Sequence, residues 1–284
     1  MARSLLCKAV GVFRLSGTSP PPAGPRFCSR AEPEPLTVRQ QNDGIRKIIL
    51  NNPKKRNALS LSMLESLREN LLTDVDSDDL RVVIISARGP VFSSGHDLKE
   101  LTSAQGREYH TKVFHTCAEV MTLIQDIPVP VIAMVDGVAT AAGCQLVASC
   151  DVAVATEKST FATPGVNVGL FCSTPAVAIG RAVPRKVAME MLLTGTPISA
   201  RDALLHGLIS RVVAEERLEE ETLAIARRVC QASRPVVALG KATFQRPRRS
   251  VRHRLQGDGG QPGAKRRARG DPGLHRETQA GVEQ

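Results

Sequence analysis

Four short apolar runs, separated by longer segments, constrain the fold of this 284-residue chain more than any other feature. The runs cover residues 45–50, 81–86, 130–135 and 152–155. The longest interval between them, residues 87–129, contains Gly106–Asp126, which has the period of an amphipathic helix. Its predicted apolar face consists of Val113, Phe114, Cys117, Val120, Met121 and Ile124. Strands that alternate with helices in this way predict an α/β domain.

Helix boundaries in this pattern are marked by capping residues. Ser60 or Ser62 begins the first helix, and Ser62 followed by Glu65 makes a capping box. Ser199 and Asp202 make the same arrangement at the start of a short helix. Further helices are predicted near residues 141–150, 174–183, 184–193, 219–230 and 235–244.

The positive charge of the chain is concentrated at its two ends. Of the net charge of +10, residues 1–30 contribute +5 and residues 245–284 contribute +6, which leaves −1 for residues 31–244. A near-neutral body excludes a general basic face for nucleic acid. No apolar run is long enough to span a bilayer, so no transmembrane helix is expected. Seven scattered cysteines show neither metal-ligand spacing nor a disulfide pattern, which suits a reducing compartment.

The N-terminal segment, residues 1–30, has five spaced cations and no acid on an apolar background. This pattern is typical of a mitochondrial transit peptide, and we expect import into the matrix. The alternative is a disordered leader rich in proline around residues 20–25. Targeting is favoured because the acid-free, arginine-bearing pattern is the specific part of the rule.

The C-terminal segment, residues 245–284, is a basic tail rich in arginine and glycine. It buries too little apolar surface to offset the entropy of ordering, so it is predicted to be disordered. A tail that binds nucleic acid or an anionic membrane is one interpretation. A translated alternative frame or exon without a selected role is favoured, because the change at Phe244 falls inside an apparent helix and not in a linker.

Four segments in a fixed order carry the functional information. They are residues 54–60 (Lys-Lys-Arg-Asn-Ala-Leu-Ser), 91–100 (Val-Phe-Ser-Ser-Gly-His-Asp-Leu-Lys-Glu), 130–151 and 161–169. Together they resemble the enoyl-CoA hydratase/isomerase (crotonase) family across about residues 40–244. The resemblance implies a crotonase-like acyl-CoA-binding domain at residues 31–244. Its expected fold is a spiral of repeated ββα units, with the family's C-terminal helical region truncated or replaced.

The resemblance also implies what the chain binds. A CoA thioester is the expected ligand or substrate, in mitochondrial fatty acid metabolism, with no permanently bound cofactor and no metal. The family assembles as a homotrimer or hexamer. The altered C-terminus is expected to expose apolar surface and to impair that assembly.

The resemblance assigns the backbone amides of His96 and Ala142 as an oxyanion hole for a thioester enolate. Gly95 permits a sharp turn after a strand. The run from Ala141 to Gly143 opens a helix, whose free amides favour negative charge. Because both donors are backbone groups, alanine at position 142, where the family usually has glycine, need not remove one.

The family places the adenine-nucleotide end of CoA against a basic loop. The matching residues in this chain are Lys54, Lys55, Arg56, Ala58 and Lys99. For Lys54 and Lys55 the alternative is simple solvation of the loop, since exposed charges usually have no specific partner.

Two residues depart from the hydratase pattern. Gln145 and Gly165 stand where the family has its two catalytic glutamates. A glutamine amide cannot accept a proton at neutral pH, and glycine has no side chain. Hydratase activity is therefore predicted to be near background. Isomerase activity is not expected either, because simple isomerases keep their base at the 165 position.

Several other groups could take part in chemistry. The His96 ring could reach the pocket, although its amide satisfies the motif without it. Asp97 is expected to cap the next turn, and Cys144 is expected to be buried packing. Asn167 and Cys172 are further candidates, because they lie in a segment that could face the acyl chain. The open alternatives are an acyl-CoA-binding protein with weak or non-hydratase activity, a non-catalytic regulatory pseudoenzyme, and an acyl-CoA decarboxylase or thioesterase.

Overall fold

The structure, a computed structural model, describes residues 34–245. Its helices are α1 (Leu61–Leu72), α2 (Gly106–Asp126), α3 (Ala142–Ser149), α4 (Ser173–Ala182), α5 (Arg185–Thr194), α6 (Ala200–Leu205), α7 (Leu218–Gln231) and α8 (Arg234–Gln245). Its strands are β1 (Thr37–Asn42), β2 (Ile45–Leu50), β3 (Val82–Ala87), β4 (Val91–Ser93), β5 (Val131–Val135), β6 (Val138–Thr140), β7 (Val152–Thr156), β8 (Thr160–Ala162), β9 (Ile198–Ser199) and β10 (Arg211–Val213). The transit peptide predicted for residues 1–30 lies outside the described residues, as does the tail predicted for residues 245–284 after Gln245.

The strands form two sheets that the chain visits in turn. The larger sheet has the order β1-β2-β3-β5-β7-β10, and the smaller has the order β4-β6-β8-β9. Apart from the antiparallel pairs at β1 and β9, neighbouring strands are parallel. The successive units β3-β4-α2, β5-β6-α3 and β7-β8-α4 each place one strand in the large sheet, one in the small sheet and then a helix. The predicted spiral of ββα units is confirmed.

The large sheet is covered on both faces, which explains why its strands are uninterrupted apolar runs. Val83 and Ile85 belong to the main core, whereas Val82 and Ile84 pack with Ala226 of α7 on the other face. Parallel strands that are buried on both faces have this continuous pattern. All four predicted strands belong to the large sheet. The strands of the small sheet are two or three residues long, too short to show a period.

The cap predicted for α6 is confirmed. The Ser199 hydroxyl accepts a hydrogen bond from the Asp202 amide at 3.1 Å and donates to the Asp202 carboxylate at 2.7 Å. The hydrogen bond from Ser199 lowers the pKa of Asp202. The cap therefore satisfies an amide at the start of α6 that has no partner inside the helix.

Of the two predicted starts of α1, Ser60 is confirmed and the capping box at Ser62 is wrong. Ser60 is the N-cap, and its hydroxyl accepts from the Met63 amide at 3.3 Å. Ser62 lies inside the helix. Just before the cap, the Leu59 amide donates to the Gly95 carbonyl at 2.7 Å, which ties the start of α1 to the turn after β4.

Helix α2 has the predicted bounds, with one difference in its buried face. Val113, Cys117 and Val120 are buried as expected. Phe114, predicted on the same face, is 40% exposed, and its ring packs edge-on against the His96 ring with 5.2 Å between centroids. Phe114 therefore belongs to a cavity wall and not to the core.

Helix α8 is held to the body of the protein by two cations: Arg234 donates to the Leu80 and Val75 carbonyls at 3.2 and 3.1 Å, and Lys241 is buried. The Lys241 ammonium lies 2.7 Å from an Asp151 carboxylate oxygen, 2.7 Å from the Ile124 carbonyl and 2.9 Å from the Val129 carbonyl. Its side chain is only 6% exposed. All three of its donor positions are thereby used, at the end of α2 and the start of β5.

The other side of α8 is apolar and exposed. Val236, Leu239 and Phe244 are all largely accessible, with Phe244 at 88%. Exposed apolar surface was expected at this end of the chain and is present there. Among residues 34–245, no helix is both long enough and apolar enough to cross a membrane.

Replacing Lys241 with methionine should destabilise the fold by about 3 kcal/mol, because the substitution removes the cation that pairs with the largely buried Asp151 carboxylate and the donor to two carbonyls. The measurement is urea unfolding followed by circular dichroism. Lys186→Met, an exposed position on α5, is the matched control. Equal free energies of unfolding for the two variants would contradict this role of Lys241.

Candidate functional site

The first wall of the site is the turn that follows β4. Gly95 has a φ of +82°, a conformation that glycine adopts at little cost. The Ser93 hydroxyl holds the turn, since it donates to the Asn57 carbonyl at 2.9 Å and accepts from the Gly95 amide at 3.3 Å. The Gly95 carbonyl accepts from Leu59, as described above. These bonds fix the backbone from which His96 continues.

The second wall is the N-terminus of α3. Its N-cap, Ala141, has φ 50° and ψ −120°, which is strained for a residue with a Cβ. The Ala141 amide donates to the Ala162 carbonyl at 2.9 Å, and its carbonyl accepts from the Gln145 amide at 3.0 Å. Gly143 lies so close to β4 that an added Cβ would stand 2.5 Å from the Ser93 carbonyl. Small residues therefore let the helix begin directly against the strand.

The two walls meet at Gly95. A Cβ added there would lie 2.9 Å from the Ala141 Cβ and 3.0 Å from the Ala142 nitrogen. The predicted pair of donors, the amides of His96 and Ala142, therefore lies on adjoining stretches of backbone. Within residues 34–245 neither amide donates to a protein acceptor. Free amides near a helix N-terminus favour a developing oxyanion. The oxyanion hole stays a prediction, and this geometry is consistent with it.

His96 and Ala142 line one cavity of about 270 Å³. Phe114 of α2 forms another part of its wall, and Gly165 and Cys172 form the opposite part. Apolar surface dominates the lining, as is usual for a small-molecule pocket with few polar groups. Asn167 and Cys172, the predicted acyl-facing candidates, both line this cavity.

The His96 ring is fixed and neutral. Its Nδ1 lies 3.3 Å from the Leu59 carbonyl, so Nδ1 carries the proton and Nε2 keeps the lone pair. Nε2 is buried and has no hydrogen-bond partner among the described residues. Burial lowers the ring's pKa, an effect that the Leu59 carbonyl and the Glu100 charge oppose. The ring therefore offers the cavity wall an acceptor and no positive charge near neutral pH.

Gln145 is not brought together with Gly165. Its side chain is 95% buried, with 5% of the residue exposed, and it borders a separate groove between α2, α3 and α4. Its Oε1 has no hydrogen-bond partner among residues 34–245. Positions 145 and 165, predicted to correspond to the family's two glutamates, thus line different spaces in this chain.

Gly165 has a steric reason to be glycine. A Cβ there would stand 2.7 Å from the Leu170 carbonyl oxygen and 2.8 Å from the Cys172 sulfur. The Cys172 thiol therefore fills the space that a side chain at 165 would enter. Burial raises the pKa of Cys172, and raises that of the fully buried Cys144 to about 12, so both thiols stay protonated near neutral pH.

The basic loop lies beside the Gly95 turn and outside the cavity. The Arg56 carbonyl accepts from the Ser94 amide at 3.0 Å, and Lys55 pairs with Asp97 at 3.6 Å. The Asp97 carboxylate accepts from the Lys99 amide at 3.0 Å, which confirms the predicted cap. None of the five residues predicted to bind the CoA nucleotide lines the cavity: Lys54, Lys55, Arg56, Ala58 and Lys99.

Two residues that position the site were missed in the sequence. Asn57 is fully buried, and its amide donates to the Arg88 and Val91 carbonyls at 2.9 and 2.8 Å, which ties the basic loop to β4. Glu100 accepts from the Leu61 amide at 2.8 Å and so joins the stretch after His96 to α1. Both residues lie inside the four segments that carry the family resemblance, and that was the available signal. Their hydrogen-bond partners are far away in the chain, so the sequence did not show what they bind.

Comparison with known proteins gives a consistent result. Residues 40–257 match the family described as Enoyl-CoA hydratase/isomerase. Two similar relatives carry the name enoyl-CoA hydratase domain-containing protein 3, mitochondrial. The one from Danio rerio is 76% identical over 209 residues, 74% of this chain and 72% of its own length. The one from Homo sapiens is 65% identical over 254 residues, 83% and 84% of the two chains.

A solved structure agrees in fold as well as in sequence. The crystal structure of human enoyl Coenzyme A hydratase domain-containing protein 3 has a TM-score of 0.75 and 65% identity, and the alignment covers 78% of this chain and 89% of that one. The crotonase fold predicted from the four sequence segments is therefore shown by fold and sequence together.

Gly165→Ala should lower stability by about 1–3 kcal/mol, because the added methyl meets the Leu170 backbone in a turn with little room to adjust. Gly180→Ala is the matched control, since a Cβ there meets nothing within 4 Å in α4 and should be neutral or stabilising by up to about 1 kcal/mol. Thermal unfolding of both variants provides the measurement. The steric explanation of Gly165 is wrong if both alanines behave alike.

His96 should make stability depend on pH in a defined direction. Its folded pKa is lowered, so the unfolded chain binds a proton more readily as pH falls below about 6.5. The stability contribution is complete above that pH and is lost as pH falls through the folded pKa. His96→Gln should flatten the dependence between about pH 5 and 7, measured by urea unfolding at each pH. A wild-type slope that the variant retains would rule out His96 as its source.

Proposed function

The chain belongs to the enoyl-CoA hydratase/isomerase family, and from that membership we propose that it binds acyl-CoA thioesters and polarises their carbonyl without acting as an efficient hydratase. The proposed donors are the amides of His96 and Ala142. The proposed setting is mitochondrial fatty acid metabolism, in the matrix. Support for the setting comes from the acid-free N-terminal segment and from the names of the two relatives, which include the word mitochondrial.

The single observation behind this proposal is the contact between Gly95 and the N-terminus of α3. It places two amides without protein partners on adjoining backbone at the wall of an apolar cavity. Each such donor typically contributes ~2.7–4 kcal/mol to stabilising a developing oxyanion. The first turn of α3 adds the positive end of the helix dipole to that stabilisation.

The side chains of the cavity do not supply the acid and base that hydration requires. Addition of water needs one group to take its proton and another to deliver a proton to carbon. Gln145 borders a different groove, Gly165 has no side chain, and the Cys172 thiol is protonated. The neutral ring of His96 offers a proton acceptor, so it could supply the base of the pair but not the acid.

The basic loop supports a site for the nucleotide end of CoA. Lys54, Arg56 and Ala58 lie on the basic loop, whose Arg56 carbonyl accepts from the Ser94 amide next to Gly95, and Lys99 follows the Gly95 turn in the chain. Within the described chain Lys54, Arg56 and Lys99 form no ion pair, whereas Lys55 is shared with Asp97. Three uncommitted cations next to the cavity favour a phosphate-bearing group at its mouth.

Decarboxylation of a malonyl-type thioester is a second candidate reaction. The same pair of amides favours it, because loss of carbon dioxide leaves an enolate that the amides stabilise and requires no base. A thioesterase or a regulatory, non-catalytic binding protein needs the same thioester site. Turnover of a panel of acyl-CoA thioesters separates these functions from one another.

The direct test is the carbonyl signal of a thioester labelled with ¹³C at C1. Wild-type protein should bind butyryl-CoA and shift that signal downfield, because two donors polarise the carbonyl. Gly95→Ala should abolish the shift, since the methyl group meets Ala141 and the Ala142 nitrogen. Gly106→Ala is the control, because it has the same positive φ with nothing within 4 Å of the added Cβ. A shift in wild type that survives in Gly95→Ala would exclude this oxyanion hole.

Hydration of crotonyl-CoA by the unmodified chain should stay near background in the same samples. Loss of two cooperating acid–base groups typically removes ~10²–10⁴ per group, non-additively. Gln145→Glu combined with Gly165→Glu tests whether carboxylates are all that is missing. We expect little recovery, because the 165 side chain has no room and the 145 side chain borders another groove. Efficient hydration by the wild-type protein would overturn the proposed function.

A further inference from the structure

A groove lies between three helices next to the thioester cavity. It is formed by Ala118, Met121, Thr122 and Gln125 of α2, Gln145 and Ser149 of α3, and Thr174, Val177, Ala178 and Arg181 of α4, and its volume is about 200 Å³. The residues from each helix lie on one face of that helix. The lining surface is mainly apolar, as in the thioester cavity, but six of the ten residues carry a polar or charged group.

The groove and the thioester cavity share one lining residue, Thr174, at the start of α4. Arg181 lines the groove seven residues later in the same helix, which corresponds to about 10 Å along the helix axis. Thr174 is therefore the point at which an acyl chain whose carbonyl lies at His96 and Ala142 would enter the groove.

The middle of the groove holds a buried amide without a partner. Gln145 is 5% exposed, and its Oε1 receives no hydrogen bond from residues 34–245. An unsatisfied buried polar atom costs about 1–3 kcal/mol, so such an atom is explained best by a ligand or water that completes it. Because Oε1 has no contact to lose, rotation of the amide presents either the oxygen or the NH₂ group to a ligand.

The far end of the groove carries an uncommitted positive charge. Arg181 lies at the last turn of α4, is exposed, and forms no ion pair with any residue that the structure describes. No acidic side chain lines the groove. A guanidinium binds a carboxylate with two parallel hydrogen bonds, which makes an anionic group the complementary occupant.

We propose that this groove selects CoA thioesters whose acyl chain ends in a carboxylate. The inference rests on the proposed thioester site and adds its substrate class. The apolar residues Met121, Val177 and Ala178 contact the chain, Gln145 hydrogen-bonds the carboxylate or an oxygen close to it, and Arg181 pairs with its charge. Glutamine in place of the family's glutamate is consistent with this class, because a carboxylate at 145 would repel the ligand's own.

The test compares thioesters of equal chain length by isothermal titration calorimetry. The pairs are glutaryl- with pentanoyl-CoA, adipyl- with hexanoyl-CoA, and suberyl- with octanoyl-CoA, each with wild-type protein. For at least one pair we expect the dicarboxylic thioester to bind about 10- to 100-fold more tightly, the range for a hydrogen-bonded charge. Binding at low and at high salt should differ most for that thioester, because its extra contact is ionic.

Three variants assign the preference to the groove. Arg181→Leu should reduce the affinity ratio to about one, and Gln145→Glu should reverse it. Arg185→Leu, an exposed arginine of α5 outside the groove, should keep the wild-type ratio. Thermal unfolding of each variant verifies that it is folded before its affinities are compared.

The outcomes separate the inference from the proposed function. If no thioester binds the wild-type protein, the proposed function fails and the inference fails with it. If both members of every pair bind equally well, the thioester site stands and the selectivity is refuted. A preference that persists in Arg181→Leu would equally overturn the role of the groove.

Discussion

The packing of the Gly95 turn against the first turn of α3 is the contact on which the site depends. Gly95 has no Cβ, so the two backbones approach closely enough to place the amides of His96 and Ala142 side by side. Gly143 likewise has no Cβ, which lets the first turn of α3 pack directly against Ser93 of β4. The strained Ala141 is held by hydrogen bonds to Ala162 and Gln145. Added Cβ atoms would stand only 2.5–3.0 Å from neighbouring atoms at Gly95 and Gly143, so this close packing leaves little freedom for substitution.

Positions 145 and 165 have different surroundings in this chain. At position 165 the Leu170 carbonyl and the Cys172 sulfur stand where a side chain would begin. At position 145 a polar side chain is present, and it lines the groove between α2, α3 and α4. The amides of His96 and Ala142 are backbone groups and do not depend on either side chain. Under the function that we propose, polarisation of a thioester is therefore separable from addition of water.

Much of the fold was predictable because burial on both faces of a parallel sheet leaves continuous apolar runs. The runs at β2, β3, β5 and β7 and the period of α2 were read correctly from local sequence. The strands of the small sheet were not, because segments of two or three residues carry no period. Of the two serines that could begin α1, Ser60 is the N-cap and Ser62 lies inside the helix, a choice that the capping pattern left open. Phe114 was assigned to the core by period alone, although it packs on the His96 ring.

By itself the sequence determined the α/β class and the family, because both depend on residue type and chain order; the oxyanion-hole amides and the two absent glutamates stay its predictions. Only the tertiary structure decided which space each residue borders. Gln145 lies one turn from Ala142 in the same helix, yet it faces a different cavity. Asn57, Glu100 and Arg181 acquire their roles from elements far away in the chain. The direction of a side chain, its neighbours and whether its polar atoms find a hydrogen-bond partner depend on how distant segments pack together. A local sequence pattern does not encode them.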